Sequence, residues 1–210
     1  MAERTQSGQA YHELTHRIQT GEIPAGERIV EEFWAERIGV NRAAIREGLT
    51  RLFGEGVVRQ GERGGFFVAE MTDEEIRELR EVREIIETSA LRLACQRATD
   101  AQLARLAEAC DDLENFVKKG YSTAAHEADL RFHHLLVEAA GNVRLAQMYE
   151  RSHIPLFFRR VAAAKAHPED FTSTAVEHRG ILESVRARNA EEGVARLKSH
   201  FNRGEQEALS

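Results

Sequence analysis

Between Ile76 and Ala94 apolar side chains return every three or four residues, at Ile76, Leu79, Val82, Ile86, Ala90, Leu93 and Ala94. That spacing draws a single stripe along a helix of roughly 25 residues, and only other helices can cover a stripe of that length and shape. Similar stripes follow through Leu103, Leu106, Leu113 and Val117, then Leu130, Leu135 and Leu136, then Val143, Leu145, Met148 and Tyr149. Start signals punctuate them: Thr72 with Glu75, Thr99 with Gln102, Thr174 with Glu177, and Asn189 with Glu192. In each pair the first side chain and the one three residues on can cap orphan backbone N–H groups. The chain from about residue 71 onward therefore predicts an all-α bundle of about six helices. Pro155 falls inside a helical pattern and predicts a kink, while His167 and Pro168 open a loop running to about Ser173.

Residues 1–70 read differently, since ten of the 15 glycines lie there and set off short elements. Tyr11, Leu14 and Ile18 mark a first helix closed by Gly21, and a second runs from about Val30 to Ile38, where Gly39 ends it. Asn41 can cap a third, with Ile45, Gly48, Leu49 and Leu52 on one face, reaching about Phe53. Val57–Gln60 and Phe66–Ala69 then read as two short strands around Gly61, Glu62, Arg63, Gly64 and Gly65. The expected fold is mainly α: a winged helix-turn-helix of three helices plus a short β-hairpin over 1–70, then a six-helix bundle over 71–210. Only 3 prolines and a net charge of −6 argue against an all-β or a strongly basic protein. No apolar run approaches a membrane span and no secretory signal opens the chain, so the expected place is the cytoplasm, away from membranes. Cys95 and Cys110 sit in helical patterns and read as buried thiols.

On the third helix the buried positions leave Arg42, Ala43 and Arg46 outward near the N-terminus, the end that a recognition helix pushes into the major groove. An arginine fork can pair two acceptors on guanine or clamp a phosphate. Arg63 and Gly65 at the hairpin tip suit a backbone approach to a phosphate or the minor groove. Residues 1–70 hold nine Arg and eleven Glu, yet Arg37–Phe66 carries a local excess of three positive charges. Double-stranded DNA is the expected partner, bound with a shallow salt dependence.

The strongest chemical signal in the second half is Asp129 with His133, one helical turn apart on one face, where both can meet one cation. His178 and His200 fall on the last two helices at positions that can line a bundle interior. Three imidazoles and one carboxylate suit zinc first, with nickel, manganese or iron as alternatives. His12, His16, His126, His134, His153 and His167 have no partner by spacing. A metal-dependent enzyme is the rival reading, but beside the ligands only Glu177 could serve as a general base, and it points around the helix from His178. A di-iron bundle would need two Glu-x-x-His pairs, and Glu150 with His153 is the one present.

The run from Ile18 through Pro24, Gly26 and Arg28 to Glu31, then Ala35 to Arg42, Ile45 to Leu49, Leu52 to Val58 and Arg63 to Gly65, resembles the winged helix-turn-helix of GntR-family transcriptional regulators. Gly48 stands where that pattern usually has alanine, at a cost to the helix of up to ~1 kcal/mol. The order Glu81 to Glu87, Leu91 to Ala94, Asp129 to His133, Ala140 to Asn142, Glu177-His178 and Ser199-His200 resembles the FCD ligand-binding domain of the FadR branch, over about 73–207, with a helix count similar to the VanR-like subgroup. The resemblance implies operator contacts at Arg42 and Arg46, a wing tip at Gly65, and a divalent metal on Asp129, His133, His178 and His200 with open positions for a small carboxylate effector. Arg83 is the candidate to pair the effector's carboxylate, or else forms a surface pair with Glu87. Asn142 either reaches the effector or caps the next helix. The whole is then a regulator, expected to be a repressor, acting as a homodimer on an inverted-repeat operator, since two recognition helices about 34 Å apart need two subunits. A purely structural metal without an effector is the remaining alternative.

Overall fold

The computed structural model describes residues 5–19, 21–70, 72–151 and 170–209. Pro155, His153, His167 and Pro168 lie outside these, and with them the expected kink and the opening of the loop. The chain forms two compact units, Met1–Met71 and Thr72–Ser210.

The first unit runs α1 (Gln6–Gln19), β1 (Arg28–Ile29), α2 (Glu31–Ile38), α3 (Arg42–Gly54), β2 (Val58–Gln60) and β3 (Phe66–Val68). Gly39 stops α2 by entering the left-handed region at φ 79°, with its N–H on the Ala35 carbonyl. Two residues later Asn41 starts α3, its side chain accepting from the Ala44 N–H at 2.8 Å. That short turn fixes the angle between the two helices. Leu14, Ile18, Ile23, Ile45, Leu49, Leu52 and Val68 close the core beneath them. Gly48 is buried where α3 meets α1: a Cβ there would stand 3.1 Å from the Tyr11 nitrogen and 3.3 Å from its Cα. The glycine thus trades helix propensity for a close approach of two backbones. The wing has one strand more than the expected hairpin. β1 pairs antiparallel with β3, Arg28 opposite Phe67, giving the order β1-β3-β2. A two-residue strand carries no periodicity that a sequence could reveal.

The second unit comprises α4 (Asp73–Arg97), α5 (Asp100–Lys119), α6 (Ser122–Ala139), α7 (Val143–Arg151), α8 (Asp170–Arg186) and α9 (Ala190–Leu209). Thr72 and Thr99 build complete capping boxes with Glu75 and Gln102. Asn189 caps α9 through the Glu192 N–H at 3.2 Å. Thr174 does not start a helix: α8 begins at Asp170, so Phe171–Ser173, expected in a loop, are helical and Thr174 lies within the second turn. Leu91, Leu106, Phe132, Leu136, Leu182, Leu197 and Phe201 form the central core, drawn from five helices. Arg188, at φ 58°, turns its guanidinium onto the Ala94, Cys95 and Ala98 carbonyls at the end of α4, at 3.2, 3.2 and 2.8 Å. Among the described residues no helix is long and apolar enough to cross a membrane.

Candidate DNA-reading face and metal centre

Burial of Ala44, Ile45, Gly48, Leu49 and Leu52 turns the opposite side of α3 outward, so the Arg42 and Arg46 side chains are 61% and 62% exposed. Both are held from below by Glu31 at the start of α2. Its carboxylate accepts from Arg42 Nε at 2.9 Å and from Arg46 Nε and Nη2 at 3.1 Å each. Partial burial would raise the Glu31 carboxyl, but the two arginines outweigh it and hold it below the usual range. The two forks are therefore pre-oriented, and Glu31 is a part of this face that the sequence reading missed. On the wing, Gly64 and Gly65 take φ +81° and +84°, a turn closed to most side chains. Arg63 is exposed at that turn and has no ion pair among the described residues.

In the second unit α6 brings Asp129 and His133, α8 His178 and α9 His200 to one place, with one ligand atom of each within 4.8 Å of every other. The three rings are buried and Asp129 is partly exposed. His133 Nε2 and His200 Nε2 face each other at 3.2 Å, and Asp129 Oδ1 lies 3.4 Å from His178 Nε2 and 3.8 Å from His133 Nε2. Tetrahedral ligands at 2.0–2.1 Å from an ion are about 3.3–3.4 Å apart, so these spacings suit a single cation. The far side of two rings is anchored. His133 Nδ1 lies 2.6 Å from Glu87 Oε2, and His200 Nδ1 lies 2.7 Å from Glu177 Oε2. With each Nδ1 facing a carboxylate, which can only accept, each ring carries its Nδ1–H outward, and in its neutral form turns an Nε2 lone pair toward the centre. His178, stacked on Phe132 at 4.0 Å, has no hydrogen-bond partner for either ring nitrogen among the described residues. Burial first, then the nearby His133 and His200, push the His178 ring well below its ordinary pKa, and burial with Arg83 lowers His133. Neutral imidazoles are the form that ligates a metal.

Carboxylate chemistry behind the rings is itself braced. Glu87 is fully buried and accepts from Arg83 Nε and from the Tyr149 hydroxyl, both at 2.6 Å. Burial opposes its charge, yet His133 and Arg83 outweigh that and hold the carboxyl well below the usual range. Glu177 accepts from Arg203 through both oxygens at 2.8 Å, which with His200 brings its carboxyl down to about 2 against the pull of burial.

Residues 6–68 match the family described as bacterial regulatory proteins, gntR family, and residues 78–203 match the FCD domain. The chain belongs to the GntR family of transcriptional regulators, with a C-terminal FCD domain. This GntR-family regulator is 28% identical over 92% of its length to the uncharacterized HTH-type transcriptional regulator YdhC of Bacillus subtilis, covering 87% of that protein. Among solved structures it shares its fold with a putative GntR transcriptional regulator from Rhodococcus sp. RHA1, at TM-score 0.84, 23% identity and 97% coverage of both chains. E. coli McbR/YncC aligns at TM-score 0.81 and 20% identity, over 95% of this chain and 94% of that one. As a GntR member the protein regulates transcription through DNA and is not an enzyme.

Of the expected site residues of this regulator, Arg42 and Arg46 share one face, and Asp129, His133, His178 and His200 share one centre. Arg83 forms the pair with Glu87, but that pair is buried rather than at the surface, and the guanidinium lies 4.8 Å over the Phe201 ring. Its Nε is therefore already committed. Asn142 is exposed and its Oδ1 accepts from the Leu145 N–H at 3.2 Å, which is a cap for α7. Glu87 and Glu177 were not expected to touch the histidines. The Arg83–Glu87 spacing was the visible signal for the first, and Glu177 was masked by its resemblance to a capping residue.

Proposed function

We propose that Asp129, His133, His178 and His200 hold one divalent metal ion, zinc before nickel, manganese or iron, and that a small carboxylic acid bound there modulates operator binding by a homodimer. The observation that carries this reading is the pair of Nε2 atoms turned toward each other at 3.2 Å, each ring held by a carboxylate on its far side, with Asp129 Oδ1 3.4 Å from His178 Nε2. A cation can be shared by these nitrogens, and buried His178, whose ring nitrogens make no hydrogen bond among the described residues, adds a third imidazole donor. A divalent ion with four protein ligands can keep coordination positions open to a carboxylate. The chain's own part is to position the rings and couple the site through Glu87 to Arg83 on α4 and Tyr149 on α7. Binding of the acid shifts an existing equilibrium between arrangements of the bundle, and thereby the placement of two DNA-reading units on an inverted repeat. There Arg42 and Arg46 read base edges, with Arg63 and Gly65 at the backbone or minor groove.

Arg46→Ala is expected to abolish specific DNA binding with metal content unchanged, and His133→Ala to lose metal while the first unit stays folded. Equal loss of both properties in either variant refutes this division of roles. A thermal-shift screen of mono-, di- and tricarboxylates, run before and after chelation, tests the sensor. An acid that raises the midpoint of the metal-loaded protein alone supports it. Destabilisation by chelation with no response to any acid favours a structural metal instead.

A further inference from the structure

Arg28 carries no ion pair among the described residues, although most arginines of the first unit do. Arg17 and Arg37 meet Glu22, Arg42 and Arg46 meet Glu31, Arg51 meets Glu55, and Arg59 lies 4.0 Å from Glu70. Its placement on β1 is equally particular. It borders a groove of about 290 Å³ that also touches Arg42, Arg46 and Gly65. It also borders a cup of about 470 Å³ across the wing, shared with Arg59, Arg63 and Gly64. Between the two it lies over Gly65, where a Cβ would come within 3.3 Å of Arg28 Nε and 3.5 Å of Nη2. The glycine at that position leaves room for this guanidinium.

We propose that Arg28 is a phosphate contact, gripping the DNA strand that separates the groove read by α3 from the groove reached by the wing. A helix in the major groove and a wing tip toward the adjacent minor groove straddle one sugar-phosphate strand, so whatever lies between them faces phosphate rather than base edges. Arg28 is the described cation that borders both cavities, and although Glu31 and Glu32 line the first and Glu62 the second, no described carboxylate forms an ion pair with it as Glu31 does with Arg42 and Arg46. A guanidinium there clamps a phosphate oxygen pair and carries no sequence information. The proposal rests on the family's DNA binding and adds a contact to it.

The test is binding of the full-length protein to two random-sequence duplexes, one AT-rich and one GC-rich, titrated with KCl. Arg28→Ala is expected to weaken both equally and to lower the slope of log K against log[salt] by about 0.9 per bound protomer. Arg28→Lys restores the slope because the charge returns. Lys118→Ala, on the second unit, leaves it unchanged, and thermal unfolding shows whether Arg28→Ala is folded. If the wild type binds and Arg28→Ala keeps the wild-type slope, or loses affinity on one duplex only, the phosphate assignment is wrong. If the wild type binds neither duplex at low salt, DNA binding by this chain fails instead.

Discussion

Glu87→Gln isolates the charge of one buried carboxylate. Gln keeps the size and an acceptor for Tyr149, but it removes the charge that faces both Arg83, whose side chain is 5% exposed, and the His133 ring at 2.6 Å. Removing one member of a buried ion pair leaves the other uncompensated and costs about 3–5 kcal/mol. That is a large share of the roughly 5–15 kcal/mol that holds an ordinary domain together. With a urea dependence near 2 kcal/mol/M, the unfolding midpoint of the helical unit should fall by roughly 2 M. Far-UV circular dichroism in the presence of a chelator follows that transition. Trp34 is the one tryptophan of the chain and lies in the first unit, so its fluorescence reports that unit and should keep its midpoint. Adding Arg83→Met removes the stranded cation and should recover much of the loss. A cost below about 1 kcal/mol, or no recovery at all in the double variant, would refute the argument that the Glu87 charge balances the buried Arg83.

Gly48→Ala should gain up to ~1 kcal/mol of helix propensity yet lose more by pressing on the α1 main chain, a net destabilisation of about 1 kcal/mol seen by Trp34 fluorescence. A more stable variant would show that α1 gives way. Glu31→Gln should tighten binding to random-sequence DNA several-fold while blurring operator preference, because the carboxylate that both competes with phosphate and orients the forks is gone. Unchanged non-specific affinity in a filter-binding assay would contradict that. Thr99→Ala, losing a capping box, should cost about 1 kcal/mol in urea unfolding of the second unit. Burial pushes the Cys95 thiol up and the Cys110 thiol to about 12, so neither should react with a thiol-specific dye until the protein is unfolded, and rapid native labelling would count against their burial.

Local signals were legible from spacing, and the gathering of His178 and His200 with Asp129 and His133 came with the family resemblance, whereas the carboxylates behind the rings did not. Thr72 and Thr99 could be read as helix starts because both halves of each capping box lie within four residues. Thr174 and Glu177 carry the same letters for another reason: Thr174 accepts from Arg203 at 2.8 Å, and Glu177 joins Arg203 to His200. A motif that braces a site can thus imitate one that starts a helix. Asp129 and His133 were visible from spacing on one helix, whereas Glu87 reaches His133 across 46 positions of sequence. The Arg83–Glu87 spacing gave the pair but not its burial, since charged residues on helices face water by default. Glu31 was hidden for a similar reason, as its two partners lie on the next helix.

The seat of the recognition helix has an evolutionary side. At Gly48 the α1 main chain rests on α3 with no side chain between them to absorb a change, and Arg42 and Arg46 ride on the opposite side of the same rigid cylinder. Substitutions at Ala10, Tyr11 or Leu14, all buried on α1, can therefore be passed on as a tilt of the reading residues. A lineage carrying this arrangement can drift toward a new operator through positions that never approach a base pair. Comparing orthologues along the recognition helix alone would overlook that route.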